Sequence, residues 1–356
     1  MTTNEIRCGV VGFGLAGRIF HSAVIAATEG LALAGIVERS GDAARQAYPG
    51  VAVYRSLEAL LADTSIQLVV IATPNTSHAP LAEQCLRAGR HVLVDKPLAV
   101  SSGEAASLIR VAREQNRLLS VYQNRRWDGD FHTVAKLLSD GALGELRRFE
   151  SHFDRFRPGL KGNAWREQDL PGSGILFDLG AHLVDQALVL FGKPQAVFGD
   201  VRAEREGAQA DDAFDLRLYY PRASVWLRAS CLTPPPQVRF LVQGTRGSYR
   251  KYGLDPQEET LRSGDLFHSK PWGVEPESSW GTLTLAGTDG NPEEHSVPTL
   301  PGDYRDLYRN LRNAIDGSAP LAVQPVDAWR TLRILELARE SSQHRSAIPC
   351  EWSDEP

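Results

Sequence analysis

Short apolar runs alternate with helical patterns through the first third of the chain. Arg7–Gly12 (RCGVVG), Leu31–Val37 (LALAGIV), Val51–Tyr54 (VAVY), Ile66–Ala72 (IQLVVIA), His91–Val94 (HVLV) and Leu118–Tyr122 (LLSVY) are nearly uninterrupted apolar stretches. Runs of that length without polar alternation suit strands buried on both faces. Ala16–Ala27, Ala43–Tyr48, Leu57–Asp63, His78–Ala88 and Ser101–Asn116 read as the helices between them. Gly89 follows the fourth of these, where a helix end favours a left-handed residue. Repeated strand–helix–strand units predict a doubly wound parallel sheet with right-handed crossovers, a Rossmann-type α/β domain.

After about Gln123 the rhythm changes. Phe131–Ser139 reads as a helix, Leu146–Phe156 as a long strand and Ile175–Phe191 as a strongly apolar helix. Gln195–Arg202, Ala213–Tyr220, Ser224–Cys231, Arg239–Gln243 and Gly247–Tyr252 follow as strands with no helix between them. Such a series predicts a mostly antiparallel open sheet in an α+β domain. Helices over Tyr304–Asp316 and Val326–Gln343 close the pattern, and Gly264–Glu294, rich in Gly, Pro, Ser and charge, reads as an elaborated loop region. The expected division is 1–122 and 123–356, and a length of 356 residues agrees with two domains.

Composition adds exclusions. A net charge of −5 gives no reason to expect a nucleic-acid partner. An acidic chain can still hold an anionic cofactor, because backbone amides at a helix N-terminus bind phosphate locally. Cys8, Cys85, Cys231 and Cys350 are widely scattered and fit neither a zinc pattern nor a disulfide framework. No metal site is expected. Met1–Arg7 is polar and lacks the charged-then-apolar form of a signal segment. No apolar run approaches the ~20 residues of a membrane span. A cytoplasmic location is the resulting expectation.

Chemistry first shows in Gly12-Phe13-Gly14-Leu15-Ala16-Gly17, which matches G-x-G-x-x-G directly after a strand and before a helix. The first glycine permits the tight turn, the second lets the backbone approach a pyrophosphate, and the third lets helix and sheet pack closely. In that context the pattern points to a dinucleotide. An acidic residue is expected about 20 positions on, and Glu38 stands at the end of the second strand. A carboxylate accepting from the adenosine ribose favours NAD. Arg39 and Ser40 follow at once, and together they could hold a 2′-phosphate, which favours NADP. The carboxylate tips the reading slightly to NAD.

Ala72-Thr73-Pro74-Asn75-Thr76-Ser77-His78 lies at the carboxyl end of the clearest strand, where ligands of open α/β sheets bind. Asn75 and His78 could face the cofactor, or the run could simply cap a helix. Val94-Asp95-Lys96-Pro97 ends the next strand. A lysine there, partly buried beside a cationic nicotinamide, suits proton transfer to or from a substrate hydroxyl. Otherwise it is a surface lysine paired with Asp95. In Gly174-Ile175-Leu176-Phe177-Asp178-Leu179-Gly180-Ala181-His182, Asp178 and His182 stand four apart on an apolar helix. They should share a face, and a carboxylate there can raise an imidazole's pKa and fix its tautomer. Tyr122–Asp128, His152–Pro158 and Trp165-Arg166 mix amides, acids, guanidinium groups and rings, as polyol recognition requires.

Together these motifs resemble the Gfo/Idh/MocA oxidoreductase family, in order and spacing, over nearly the whole chain. Tyr122–Phe131 (YQNRRWDGDF), Glu150–Pro158 (ESHFDRFRP), Gly172–Leu179 (GSGILFDL) and Gly247–Glu258 (GSYRKYGLDPQE) are closer still to the branch containing scyllo-inositol dehydrogenases. The resemblance implies an NAD(P)-dependent enzyme that oxidises a ring secondary alcohol of a cyclic polyol or sugar to the ketone. It implies Lys96, Asp178 and His182 as the catalytic trio, with Asn124, Arg125, Asp154 and Arg166 as further substrate contacts. Lys96-Pro97 would be the family's cis-proline site, and Asp95 stands where members usually have Glu. It also implies a homodimer or homotetramer formed through the open face of the second sheet. A reductase, an NAD-assisted elimination or epimerisation, and a non-catalytic NAD(P)-binding sensor remain the alternatives on the same fold.

Overall fold

A computed structural model of the protein describes residues 5–162, 165–268 and 271–356. Most of the polar lead-in Met1–Arg7 lies outside the described residues. Six strands form the first sheet: β1 (Ile6–Val11), β2 (Leu31–Val37), β3 (Ala52–Tyr54), β4 (Leu68–Ile71), β5 (His91–Val94) and β6 (Leu119–Val121). Their order is β3-β2-β1-β4-β5-β6 and every pairing is parallel. This is the expected doubly wound sheet, and its central strands are buried because helices cover both faces. The order reverses between β1 and β4, so a crevice opens beyond their carboxyl ends.

Nine strands form the second sheet: β7 (Leu146–His152), β8 (Ala196–Arg202), β9 (Ala213–Tyr219), β10 (Ser224–Ser230), β11 (Val238–Gly244), β12 (Gly247–Tyr252), β13 (Gly281–Ala286), β14 (Pro292–Val297) and β15 (Ile348–Pro349). The order is β14-β13-β12-β11-β7-β10-β9-β8-β15, and all pairings are antiparallel except β10 with β7. The expected mostly antiparallel sheet is present.

Three sequence expectations change. Gly264–Glu294 is not loop throughout: it holds β13 and the start of β14, paired from Gly281↔Val297 to Ala286↔Pro292. This hairpin lies at the sheet edge with β14 largely exposed, so its charged residues cost nothing there and leave no apolar signature. The long strand Leu146–Phe156 stops at His152, and Phe156 makes only an isolated bridge to Leu232. Both helices that follow glycine-rich motifs begin as π-helix, over Ala16–Ser22 and Leu176–Gly180, before continuing as α-helix over Ala23–Ala26 and Ala181–Phe191. Such segments are frequent at functional sites.

The chain's end returns to its beginning. The helix Arg305–Ile315 buries Leu307, Tyr308 and Leu311 against Ile6, Cys8 and Val10 of β1. The helix Pro325–His344 is opened by a capping box between Gln324 and Asp327 and packs against both β8 and the helix Ser102–Glu114. The two sheets are thereby held about one cleft. Among the described residues, no helix is long and apolar enough to cross a membrane, and no cluster of His, Cys, Asp or Glu could hold a metal ion.

Candidate active site

The glycine loop after β1 is closed on one side and open on the other. Gly12 has φ +97°, and a methyl group there would lie 2.6 Å from the Ala72 carbonyl oxygen. One at Gly17 would lie 1.9 Å from the Gly12 carbonyl oxygen. At Gly14 it would meet nothing within 4 Å. The outer glycines are therefore required by packing, while Gly14 presents bare backbone to a cavity. That is the shape a pyrophosphate needs.

The cavity has a volume of about 1050 Å³ and is lined from both domains. Its wall includes Gly12, Phe13, Gly14, Leu15 and Ala16, with Glu38, Arg39 and Ser40 at the β2 end. Thr73, Pro74, Asp95 and Lys96 line it from the ends of β4 and β5, Asn124 and Arg125 from the stretch after β6, and Arg166, Asp178 and His182 from the second domain. The remaining expected residues lie behind the wall. Gly17 packs on Gly12. The Asn75 amide donates to the Gly172 carbonyl at 2.8 Å, joining the loop after β4 to the loop that carries Gly172 and Gly174. The His78 ring nitrogens lie 2.7 Å from the Pro97 carbonyl oxygen and 2.8 Å from that of Thr73. His78 thus braces the turn at Lys96-Pro97, whose peptide bond is cis. Asp154 is buried, and its Oδ1 accepts the Ser230 N–H at 2.8 Å.

Glu38 does not hold its carboxylate free. Oε1 and Oε2 accept the Ala43 and Ala44 N–H groups, each at 3.2 Å, and so cap the helix Ala43–Ala47. Arg55 ties the same loop through the Glu38 carbonyl at 3.0 Å and the Asp42 carboxylate at 2.9 Å.

Across the cavity the two domains meet. Lys96 Nζ donates to Asp178 Oδ1 at 2.9 Å and also to the Asp178 carbonyl. Arg155 Nη1 and Arg166 Nε each lie 3.4 Å from the same carboxylate. Burial pushes the Asp178 carboxyl up, but Lys96, Arg155 and Arg166 hold it well below the usual carboxylate range. His182 is 6% exposed. Burial pushes its imidazole well below its ordinary pKa, Lys96 and Arg125 add to that, and Asp178 opposes them. The ring is neutral near pH 7, and its Nδ1 has no hydrogen-bond partner among the described residues. Asp178 does raise the imidazole pKa, as expected, but burial and the cations outweigh it, and no hydrogen bond joins the two side chains among the described residues. Three cations occupy the carboxylate.

Arg125 is buried with its guanidinium committed to protein: it bonds Tyr304 Oη at 2.9 Å and the Glu258 carboxylate. Arg155, within the His152–Pro158 group but not singled out there, also lines the wall. Along Phe153–Arg157 alternate N–H groups bond to the chain at Arg228, Ser230 and Cys231. Neighbouring side chains in such extended backbone point opposite ways, so Arg155 faces the cavity and Asp154 does not. Alternation in the sequence could have found this, given one fixed residue.

Residues 6–123 match the model of the oxidoreductase family with an NAD-binding Rossmann fold, and residues 131–250 match the GFO/IDH/MocA C-terminal domain. The chain belongs to the Gfo/Idh/MocA oxidoreductase family. It is an NAD(P)-dependent oxidoreductase. The Gfo/Idh/MocA chain is 42% identical to the uncharacterized oxidoreductase YdgJ of Escherichia coli, covering 97% of this chain and 99% of that one. It is 35% identical to the scyllo-inositol 2-dehydrogenase (NADP(+)) IolW of Bacillus subtilis, over 98% and 97% of the two chains. The solved structure of the oxidoreductase YvaA from Bacillus subtilis aligns with TM-score 0.94 at 34% identity, covering 99% of this chain and 100% of that one.

Proposed function

We propose that this family member is a dehydrogenase that oxidises a ring secondary alcohol of a cyclic polyol or sugar, scyllo-inositol-like, reversibly to the ketone. The observation that carries the proposal is the convergence of Lys96 with Asp178 and His182, from opposite domains, in the cavity whose far end is the bare backbone of Gly14. Three relatives' names support a ring alcohol or ketone: the inositol dehydrogenase above, a D-glucoside 3-dehydrogenase and a deoxyhexose 3-reductase. On this reading residues 1–122 serve the cofactor and 123–356 the substrate and self-association, as a homodimer or homotetramer in a cytoplasmic setting. The four buried, unpaired cysteines support a reducing compartment.

A bound nicotinamide supplies the hydride acceptor. The cradle at Gly12–Gly17 fits its pyrophosphate, with Thr73 and Pro74 beside it. The protein's own part is to place the substrate hydroxyl and take its proton. Lys96 Nζ, anchored on Asp178, donates to the hydroxyl oxygen and passes a proton to His182 as it takes up the hydroxyl proton, directly or by relay. The neutral His182 ring is equipped to accept it. Arg155, Arg166 and Asn124 line the space where neighbouring hydroxyls would lie. Asn75, His78 and Asp154 act by holding the wall.

For the cofactor, the geometry supports NADP over the NAD favoured by sequence. The Glu38 carboxylate is occupied by backbone N–H groups, while Arg39, Ser40 and Arg55 line the adenosine end of the cavity. The IolW name points the same way. Spectrophotometric assay of NAD and NADP reduction across inositol isomers and aldoses tests both readings. Reduction of neither cofactor by any polyol or sugar would reject the dehydrogenase. Arg39→Ala should raise KM for NADP about tenfold or more, a loss of about 1.4 kcal/mol, and move KM for NAD by less than about threefold. Equal effects on the two would reject the phosphate role.

A further inference from the structure

His21 lies in the π-helical stretch after the glycine loop and is fully buried. It is not part of the cavity wall, yet it stands directly behind it. Its Nδ1 is 2.7 Å from Tyr308 Oη, on a helix from the far end of the chain. Its ring packs on Tyr122 with centroids 4.4 Å apart. Its Nε2 lies 3.8 Å from Asp95 Oδ1, just beyond hydrogen-bond range, and has no partner among the described residues. The same Asp95 oxygen accepts the Lys96 backbone N–H at 2.9 Å.

One arrangement of protons suits these contacts. An ionised carboxylate only accepts, so a nitrogen turned to Asp95 carries hydrogen. With the proton on Nε2, Nδ1 is the acceptor. Tyr308, a phenol whose pKa burial pushes well up, is the donor. The order is Tyr308 O–H to His21 Nδ1, His21 Nε2–H toward Asp95, and Asp95 to the Lys96 backbone. His78, Lys96, Tyr122 and Tyr308 are the other ionisable groups around Asp95. Burial pushes the Asp95 carboxyl up, and His21, Lys96 and His78 together bring it below its ordinary value.

Stability alone does not explain an imidazole here. A buried N–H short of its partner is a cost, and a His21→Phe/Tyr308→Phe pair would keep the ring packing on Tyr122 with no polar atom left to satisfy. We infer that His21, aligned by Tyr308, is a positioning residue that sets the Asp95 carboxylate and, through it, the place of Lys96 in the cavity. The inference rests on the dehydrogenase reading for its kinetic consequence and on geometry for the relay itself.

Two measurements separate these. In His21→Phe the polyol-dependent kcat should fall about tenfold or more, because a displaced Lys96 misaligns the hydroxyl, while KM for cofactor and polyol stays within about twofold. Any fall in the thermal midpoint, from stranding the Tyr308 hydroxyl, should be recovered in His21→Phe/Tyr308→Phe, while the loss of kcat should persist. His21→Gln, whose amide nitrogen reaches the Nε2 position, should recover most of that rate. Nitrogen-15 NMR of the imidazoles needs no turnover: the His21 signal should show a protonated Nε2 that shifts on Asp95→Asn and on Tyr308→Phe. Wild-type kcat in His21→Phe, equal loss in the Phe and Gln variants, or a His21 proton on Nδ1 would each overturn the inference. An enzyme inactive on every polyol but with the expected NMR signature would overturn the dehydrogenase reading and leave the relay standing.

Discussion

Lys96→Ala is expected to lower kcat roughly a hundredfold or more, the size of effect that follows loss of a positioned proton-transfer group. The ammonium is the only contact described between the end of β5 and the Asp178 carboxylate, and it is held there twice, through Oδ1 and the backbone carbonyl. Alanine removes the donor nearest the proposed hydroxyl. Asp178 keeps Arg155 and Arg166, each at 3.4 Å, so its charge stays compensated and the fold should survive. The loss should therefore fall on kcat, with cofactor affinity, measured by nicotinamide fluorescence, within about threefold of wild type. Single-turnover kinetics give the cleanest check, since slow product release could otherwise mask the chemical step. Turnover near wild type would remove Lys96 from the mechanism.

The sequence carried the first domain well for a physical reason. Parallel strands covered on both faces must be apolar throughout, so β2 and β5 fall on the very residues of their apolar runs, Leu31–Val37 and His91–Val94. Gly12 and Gly17 were equally legible, since backbone crowding leaves no other residue room. Three things were not. The β13–β14 hairpin lies at an edge where burial places no demand on composition. Glu38 had two acceptable partners, a ribose and a helix N-terminus, and only the loop's path decides between them. His21 reads as one more helix residue until Tyr308 arrives 287 positions later. The residues that sequence could name were those constrained by their own neighbours. Those it could not were constrained across the fold.

The same distinction applies to Arg239, which lies outside the cavity wall. It sits on β11, 1% exposed, with Nε 3.2 Å from Asp130 Oδ2, Nη1 bonded to Ser151 Oγ at 2.6 Å and Nη2 to Gln186 Oε1 at 2.9 Å. Asp130 is wholly buried and its other oxygen has no partner among the described residues. Two further carboxyls crowd it: burial and neighbouring carboxylates push Asp255 up to about 6 and Asp128 well above its usual value. Arg239→Leu removes a counter-charge from this cluster and leaves the buried Asp130 carboxyl without its partner. The expected loss is about 3–5 kcal/mol, the range for breaking one partner of a buried pair. Asp130→Asn in the same chain should restore at least half of it, because the stranded carboxyl is gone even though the guanidinium bonds are not replaced. Urea titration of the single and double variants measures both. Gln186 also donates to the Arg125 carbonyl at 2.7 Å, so the disturbance runs toward the cavity wall. A single variant that is destabilised by less than about 1 kcal/mol would mean that water reaches Asp130 and that the cluster is not the dry anchor its burial describes.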